Sequence, residues 1–317
     1  MTGEYKMKDQ FNRNVDYMRI SLTENCNYAC SYCRDDNTHV YHDYLSYEEI
    51  FIIVKAAVNL GVHKFKITGG EPLVRKDVLS FIEQLKAYEG VDEVTLTTNG
   101  SLLSHEDIKR LQIIDGINFS LDTLNEERYY QFTKSKQLHT VIDNILYAHS
   151  LKIKVKINCV LHQEISYQDI LDLLMFAKKY QLTLRFIELM PMKKDSTRGI
   201  INKQTVLEIA NSNHLNLIET HKKLGNGPAH YYQMDDIYIG FIEPIHGKFC
   251  EQCNRIRLTA SGFLKACLFH DMGCDLKEKI RKNEDIELIM KDVIYAKPAS
   301  HYFEERAAGT AMNEIGG

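Results

Sequence analysis

Cys26, Cys30 and Cys33 fall in one octapeptide, Cys26-Asn27-Tyr28-Ala29-Cys30-Ser31-Tyr32-Cys33, with three and then two residues between them. Three thiolates converging from one loop hold three irons of a four-iron cluster and leave the fourth iron without a protein ligand. An open iron is a place where a small molecule binds and is reduced. A second set, Cys250, Cys253 and Cys267, begins as a CxxC with thirteen residues before the last cysteine. Ser261-Gly262 is a turn signal between Arg255-Ile256-Arg257-Leu258-Thr259 and Phe263-Leu264-Lys265-Ala266-Cys267, so a β-hairpin folds Cys267 back towards Cys253. This second set also suits a structural zinc, which takes four ligands. His246, His270 and Cys274 are the nearby fourth-ligand candidates. Cys159 lies within a strand pattern and reads as a small core residue, and Cys274 reads as unligated.

Six of the eight cysteines belong to these two sets. Residues 1–10 are polar and carry no apolar leader, and no apolar run is long enough to span a bilayer. The expectation is a cytoplasmic chain whose cysteines bind metal and do not pair with one another. The formal charge is −4, with 44% hydrophobic and 26% charged residues. That balance gives a globular chain without the basic field that nucleic acid or an anionic membrane requires.

Around the cysteines the chain alternates strand and helix patterns. Strand patterns cover 17–22, 64–68, 94–98, 117–121, 153–161 and 182–189, with helix patterns at 50–60, 76–88, 105–113, 140–150 and 167–180. Ser46 with Glu49 three residues on is a capping box, and Gly61 is a helix stop. Such alternation gives parallel strands joined by right-handed crossovers. Six units are too few for a closed eight-stranded barrel and suit an open, partial one. A doubly wound flat sheet is the competing topology. Past Met190-Pro191 the rhythm breaks, and residues 195–199 form a polar connector dividing 1–194 from 195–317. Beyond it come a short helix pattern at 204–211, a loop Leu224-Gly225-Asn226-Gly227-Pro228, strands at 231–234 and 237–242, the cysteine hairpin, and one charged helix over 275–294.

Parallel strands buried on both faces are continuously apolar, and several of these are not. Lys152, Lys154, Lys156 and Asn158 alternate onto one face, Lys64 and Lys66 share a face, and Arg185 interrupts Leu184 and Phe186. Recurrence on several strands predicts a polar interior suited to an anionic ligand. Gly69-Gly70-Glu71-Pro72, Thr97-Thr98-Asn99-Gly100 and Ser120-Leu121-Asp122 each close a strand. Singly they are turns. In register with the first cysteine loop, they mark one site at the carboxyl ends of the strands.

With these motifs in order, the chain resembles the radical S-adenosylmethionine (SAM) superfamily and, within it, the GTP 3′,8-cyclase family (molybdenum cofactor biosynthesis protein A). The resemblance runs from Phe11 to Gly317. It rests on Arg19-Ile20-Ser21-Leu22-Thr23, the first cysteine loop, Ile67-Thr68-Gly69-Gly70-Glu71-Pro72-Leu73, Leu96-Thr97-Thr98-Asn99-Gly100 and Ser120-Leu121-Asp122. It continues through Arg185-Phe186-Ile187-Glu188, Phe249-Cys250 to Cys267, and the terminal Gly316-Gly317. The second cysteine set and the tail distinguish this family within the superfamily.

The resemblance implies an α/β fold, a partial (βα)6 TIM-like barrel of the radical SAM type with a C-terminal α+β region. It implies two [4Fe-4S] clusters, one on Cys26, Cys30 and Cys33 that binds SAM, and one on Cys250, Cys253 and Cys267 that meets the guanine of GTP. Tyr32, Gly69, Gly70, Glu71, Ser120 and Met190 would serve SAM. Arg19, Lys66, Thr97, Lys156, Arg185, Arg255 and Arg257 would bind GTP. Arg255, Arg257 and the tail glycines Gly316 and Gly317 would take part in catalysis. The implied reaction cleaves SAM to methionine and a 5′-deoxyadenosyl radical, which takes the 3′ hydrogen of GTP. The carbon radical then attacks C8 to give (8S)-3′,8-cyclo-7,8-dihydroguanosine 5′-triphosphate after reduction. The implied partners are a flavodoxin or ferredoxin as reductant, a cyclic pyranopterin monophosphate synthase downstream, and a second copy of the chain in a homodimer.

Three departures from the family pattern stand out. Arg34-Asp35 replace a usual Met-Pro, Asn12-Arg13-Asn14 replace Gly-Arg-Pro, and Lys66 replaces an arginine. Lysine keeps the charge and loses the bidentate fork. The rival enzyme reading is a radical SAM peptide- or protein-modifying enzyme with an auxiliary cluster, which leaves Arg255-x-Arg257 and the Gly-Gly tail unexplained. A zinc-stabilised nucleotide-binding protein is the non-enzymatic alternative.

Overall fold

A computed structural model describes residues 7–33, 43–192, 201–305, 307–308 and 311–316. After β1 (Tyr17–Ser21), Ser46 caps α1 (Tyr47–Asn59) in the predicted box: it accepts from the Glu49 amide, and Glu49 reaches back to the Ser46 amide at 2.8 Å. The alternation continues through β2 (Lys64–Thr68), α2 (Val78–Lys86), β3 (Glu93–Thr98), α3 (His105–Arg110) and β4 (Gly116–Ser120). Then follow α4 (Glu126–Thr133), α5 (Leu138–Ser150), β5 (Val155–Leu161), α6 (Tyr167–Tyr180) and β6 (Thr183–Glu188). The C-terminal region supplies α7 (Lys203–Ser212), β7 (Ile218–Thr220), β8 (His230–Met234), β9 (Ile237–Ile242), β10 (Arg255–Leu258), β11 (Phe263–Lys265) and β12 (Gly273–Asp275). It ends in α8 (Leu276–Arg281), α9 (Ile286–Tyr295) and α10 (Met312–Ile315).

All the described strands join one sheet, in the order β12-β11-β10-β1-β2-β3-β4-β5-β6-β9-β8-β7. β1 to β6 are parallel and adjacent in sequence order, as the alternation predicts. The C-terminal strands make no sheet of their own. β10 pairs parallel with β1 and β9 parallel with β6. Neither end of the six-strand array is therefore an open edge, and the second cysteine hairpin is fixed to the strand that leads into the first cysteine loop.

Apolar helix faces and alternate strand residues merge into one main core, from Met18 and Ile20 through Phe119 and Ile157 to Phe241 and Leu258. A smaller cluster of Met192, Ile245, Phe269, Phe303 and Ile315 packs the end of the chain near the second cysteine set, with Met190 and Cys267 at its margin.

Some elements differ from the sequence expectation. The charged segment 275–294 is two helices, because Asn283 takes a left-handed φ of 54° and Asp285 caps α9 by accepting from Leu288. β5 begins at Val155, after Lys152 has turned with φ 64°, so of the four alternating residues only Lys156 and Asn158 lie in the strand. Lys64 points to Asp16, 2.7 Å away. Helix α4, capped by Asn125, and the short α10 carry too few apolar repeats to register as periodic. The connector at 195–199, Arg34-Asp35 and Gly317 lie outside the described residues.

Candidate active site

The first cysteine loop leaves β1 and is held from below by the turn after β2. Gly70 donates to the Thr23 carbonyl at 2.6 Å, and Glu71 to that of Asn25 at 2.8 Å. A Cβ on Gly69 would stand 2.7 Å from the Thr23 oxygen, and one on Gly70 2.4 Å from the Asn25 oxygen. The two glycines thus allow close approach to the backbone that carries the cysteines, as well as lining the cavity. Glu71 is buried and accepts from Thr98 Oγ1 (2.7 Å), the Asn99 amide (2.7 Å) and the Leu73 amide (3.1 Å). Burial pushes its carboxyl up to about 7 against the pull of those donors. It ties the ends of β2 and β3 together.

Tyr32, between Cys30 and Cys33, donates to Asp122 Oδ2 at 2.7 Å and stacks on His162 with ring centroids 5.0 Å apart. Asp122 also accepts from the Val160 amide at 2.8 Å. Burial, then Cys33, Asp122 and Cys26, push the Cys30 thiol up, so the loop's thiols stand close enough to repel one another as thiolates. A group carrying positive iron would relieve that repulsion. The donor set therefore fits a cluster.

Seven cationic side chains line one cavity of about 340 Å³: Arg19, Lys66, Lys156, Arg185, Arg255, Arg257 and Lys297. Strand register puts Arg257, Arg19 and Lys66 side by side across β10, β1 and β2. On the far side Arg185 donates to Asn118 Oδ1 at 2.6 Å and Asn158 Oδ1 at 2.9 Å. Lys156 donates to the carbonyl of Leu224, and Asn226 of the same loop holds Glu93 at 2.6 Å. Burial first, then Arg185, Arg19 and Lys156, hold the Lys66 ammonium well below the lysine range. Burial and Arg185 bring Lys156 down to about 8. Burial, Arg19 and Arg255 likewise depress Arg257. Arg19 Nε, Arg255 Nε, Thr68 Oγ1 and Thr95 Oγ1 are buried with no hydrogen-bond partner among the described residues. Cations crowded in this way with orphaned donors fit a polyanion.

At the opposite end of the cavity lie Cys250, Cys253 and Cys267. Burial would raise the Cys253 thiol, but Lys297 and Arg255 beside it bring it down to about 7. None of the eight cysteines forms a disulfide. Among the described residues, no three His, Cys, Asp or Glu side chains gather as the ligands of a single metal ion do. A cluster asks for wider spacing, since each thiolate meets a different iron. Two of the three candidate fourth zinc ligands are engaged elsewhere: His246 Nδ1 with Glu188, and His270 Nε2 with the Ser300 carbonyl at 2.9 Å. Cys159 is fully buried in the core, as its strand position predicts.

Tyr32, Gly69, Gly70, Glu71, Thr97, Ser120 and Met190 line the same cavity as the cations and both cysteine sets. Gly316 does not line it but lies against Thr68 and Ser21 at its wall. Sequence reasoning missed Asn118, which orients Arg185, and His162, Arg13 and Lys297. Asn118 sits on the same alternating pattern as Asn158. The other three are read only from contacts far along the chain: His162 with Tyr32, Arg13 with the carbonyls of Cys250, Pro298 and Ala299, and Lys297 with those of Arg255 and Ala266.

A family model described as Radical SAM superfamily matches residues 20–177, and one described as Molybdenum Cofactor Synthesis C matches residues 182–303. A GTP 3′,8-cyclase of Clostridium perfringens (strain SM101 / Type A) is 38% identical, over 98% of this chain and 100% of its own. One of Aliarcobacter butzleri (strain RM4018) is 37% identical over 94% of each chain. Among solved structures, Streptococcus suis SuiB bound to S-adenosylmethionine aligns with a TM-score of 0.63 at 15% identity, over 91% of this chain and 66% of that one. Native anSMEcpe with bound AdoMet aligns with a TM-score of 0.59 at 17% identity, over 86% and 83%. At these identities the likeness is one of fold. This chain spans about two thirds of the SuiB chain.

Proposed function

The chain belongs to the GTP 3′,8-cyclase family of radical SAM enzymes, and on that premise we propose that it converts GTP to (8S)-3′,8-cyclo-7,8-dihydroguanosine 5′-triphosphate, the first step of molybdenum cofactor biosynthesis. The observation that carries the reading is the lateral row Arg257, Arg19 and Lys66, with Lys156 and Arg185 in the same cavity. Like charges directly opposite one another on paired strands repel, and an uncompensated buried charge costs several kcal/mol. A triphosphate supplies the missing negative charge with geometry that arginine forks match.

In this reading Cys26, Cys30 and Cys33 hold the cluster that receives SAM, and Cys250, Cys253 and Cys267 hold a second [4Fe-4S] cluster. When bound, SAM and the first cluster supply the radical that removes a hydrogen atom from the substrate. The chain's own work is orientation and the exclusion of water and stray hydrogen donors. Tyr32, Gly69, Gly70, Glu71, Ser120 and Met190 shape the SAM end. Arg19, Lys66, Thr97, Lys156 and Arg185 hold the triphosphate. Arg255 and Arg257 act nearest the reacting nucleoside, and the tail glycines Gly316 and Gly317 take part in catalysis. Residues 1–194 then serve SAM and residues 195–317 carry the second cysteine set and the tail. A flavodoxin or ferredoxin as electron donor, a cyclic pyranopterin monophosphate synthase as recipient, a homodimer and a cytoplasmic setting complete the proposal. In keeping with that setting, no helix among the described residues is long and apolar enough to cross a membrane.

The test is anaerobic turnover of SAM with GTP deuterated at C3′. Deuterium is expected in 5′-deoxyadenosine, together with a new nucleotide isomeric with GTP and separable from it by chromatography. SAM cleavage without that nucleotide overturns the proposal in favour of a peptide- or protein-modifying enzyme.

A further inference from the structure

We propose that Lys297 is a positioning residue that fixes the second cysteine set and supplies the nearest countercharge to the cluster bound there. The inference rests on the reading of Cys250, Cys253 and Cys267 as cluster ligands. Lys297 is 2% exposed. It follows Ala296, the C-cap of α9, and precedes Pro298. Its Nζ donates to the Arg255 carbonyl at 2.8 Å and to the Ala266 carbonyl at 2.5 Å. Arg255 stands two residues after Cys253, and Ala266 immediately precedes Cys267. One ammonium therefore ties the two strands of the hairpin together at the points where they carry ligands.

The neighbouring residues complete the clamp from the other side. Arg13 donates to the Cys250 carbonyl at 2.7 Å and to those of Pro298 and Ala299 at 2.6 and 2.9 Å. The segment Lys297-Pro298-Ala299 is thus linked to the backbone at all three cysteines, although it lies at least thirty residues from any of them.

Charge gives the second argument. Two other deeply buried lysines have carboxylate partners: Lys265 pairs with Asp271 at 2.9 Å and Lys277 with Asp43 at 2.6 Å. Lys66, in the proposed triphosphate site, and Lys297 have none within ion-pair distance among the described residues. Backbone carbonyl dipoles solvate the Lys297 ammonium but do not neutralise it, and a buried charge needs a counterion. Thiolates bearing an iron–sulfur cluster are the anionic group in reach. A fixed positive charge beside a cluster favours its reduced form, and residues behind the ligands set both affinity and potential.

The experiment uses the full chain carrying Cys26→Ala, Cys30→Ala and Cys33→Ala, so that only the second set binds iron. Lys297→Met and Lys297→Gln are added to this parent. After anaerobic reconstitution, iron and sulfide content, the electron paramagnetic resonance spectrum, a redox titration and iron loss to a chelator are measured. Lys297→Met is expected to retain iron about tenfold less tightly or worse, with the midpoint potential shifted negative and an altered spectrum. Lys297→Gln keeps a donor for one carbonyl while dropping the charge, so it serves where the Met variant does not fold, and the same negative shift is expected. A parent that takes up no cluster overturns the cluster reading and this inference with it. A parent with its cluster, and a Gln variant matching it in potential and iron retention, overturns this inference alone.

Discussion

Arg257 donates to the Gly316 carbonyl at 2.5 Å, so a member of the buried cation row holds the end of the chain. Gly316 has φ 72°, and a Cβ there would meet Thr68 Oγ1 at 2.6 Å and Ser21 Cβ at 2.9 Å. The tail can reach this wall only as glycine. The contact joins the segment most distant in sequence from the first cysteine loop to the strand that leads into that loop.

Gly316→Ala should therefore expel the tail and release Arg257. Cyclised nucleotide formation is expected to fall by roughly 10²-fold, the scale of an ångström's misplacement at a reacting centre. Stability should change little, because the tail adds few contacts to the main core. Product formation and thermal melting measured together check both halves. Normal cyclisation in the alanine variant would remove the tail from the mechanism.

Lys66→Ala tests the cation row. Lys66 is flanked by Arg19 on β1, and its neighbours Arg185, Arg19 and Lys156 all disfavour its charge until an anion arrives. GTP affinity is expected to weaken by about 1.5–3 kcal/mol, the range for hydrogen bonds to a charged group. The vacated charge should also leave the nucleotide-free protein no less stable. Lys66→Arg should bind GTP at least as tightly as Lys66, by restoring the fork. Titration calorimetry under anaerobic conditions reads all three proteins. Unchanged affinity in the alanine variant would remove Lys66 from the site.

Much of this site was legible in the sequence because its signals are local. The cysteine spacings, the lysines and arginines breaking apolar strands, and the loops closing β2, β3 and β4 can each be read within ten residues. What was not legible depends on long-range pairing. No local pattern says that β10 lies beside β1, yet this puts Arg257 next to Arg19, and both cysteine sets line one cavity. The same holds for Lys297 and Arg13, whose links to the second cysteine region run to backbone carbonyls and leave no side-chain signature there. The departure at Asn12 has a local reason that appears only with coordinates. Asn12 takes φ 64°, the region glycine favours and asparagine tolerates best among other residues. A glycine at position 12 would take the same turn that presents Arg13.

Arg13→Ala should be costly for that reason. Arg13 and Asp9 are both buried and paired at 2.5 Å. Breaking a buried pair by removing one partner costs about 3–5 kcal/mol, and here three carbonyls of the second cysteine region lose their donor as well. Denaturant melting of the iron-free protein should show the loss. Asn12→Gly should lie within about 0.5 kcal/mol of the parent, since glycine adopts the same φ freely.

The pH dependence of GTP binding follows from Lys156. Its ammonium titrates near 8 in the nucleotide-free protein, against about 10.4 in water. Below pH 8 the free protein already carries the charge, and affinity should be level with respect to this group. A bound phosphate raises the group's pKa, so above pH 8 binding must take up a proton and affinity should fall as pH rises. The fall should continue until the pH reaches the raised pKa of the complex. Calorimetry at pH 8.5 in buffers of different ionisation enthalpy should reveal the proton uptake. Lys156→Met should bind GTP more weakly at pH 7 and take up less proton than the parent, the remainder falling to Lys66, which burial and its cationic neighbours also hold down. An uptake as large in the Met variant as in the parent would assign the titration to another group.

Glu71→Gln tests whether the turn after β2 supports the cysteine loop through hydrogen bonding and not through charge. The two Glu71 oxygens accept from three donors, on Thr98, Asn99 and Leu73. Glutamine has the same shape, but its amide nitrogen must face one of those donors and leave it unsatisfied in a buried place. The expected loss is about 1–3 kcal/mol. Because Gly70 and Glu71 carry the Thr23 and Asn25 carbonyls, the strain should pass to Cys26. Iron retention at the first cysteine set should then fall while retention at the second set is unchanged. Measuring the two sets separately, in chains with the other set replaced by alanine, distinguishes this local failure from general unfolding, in which both sets lose iron together.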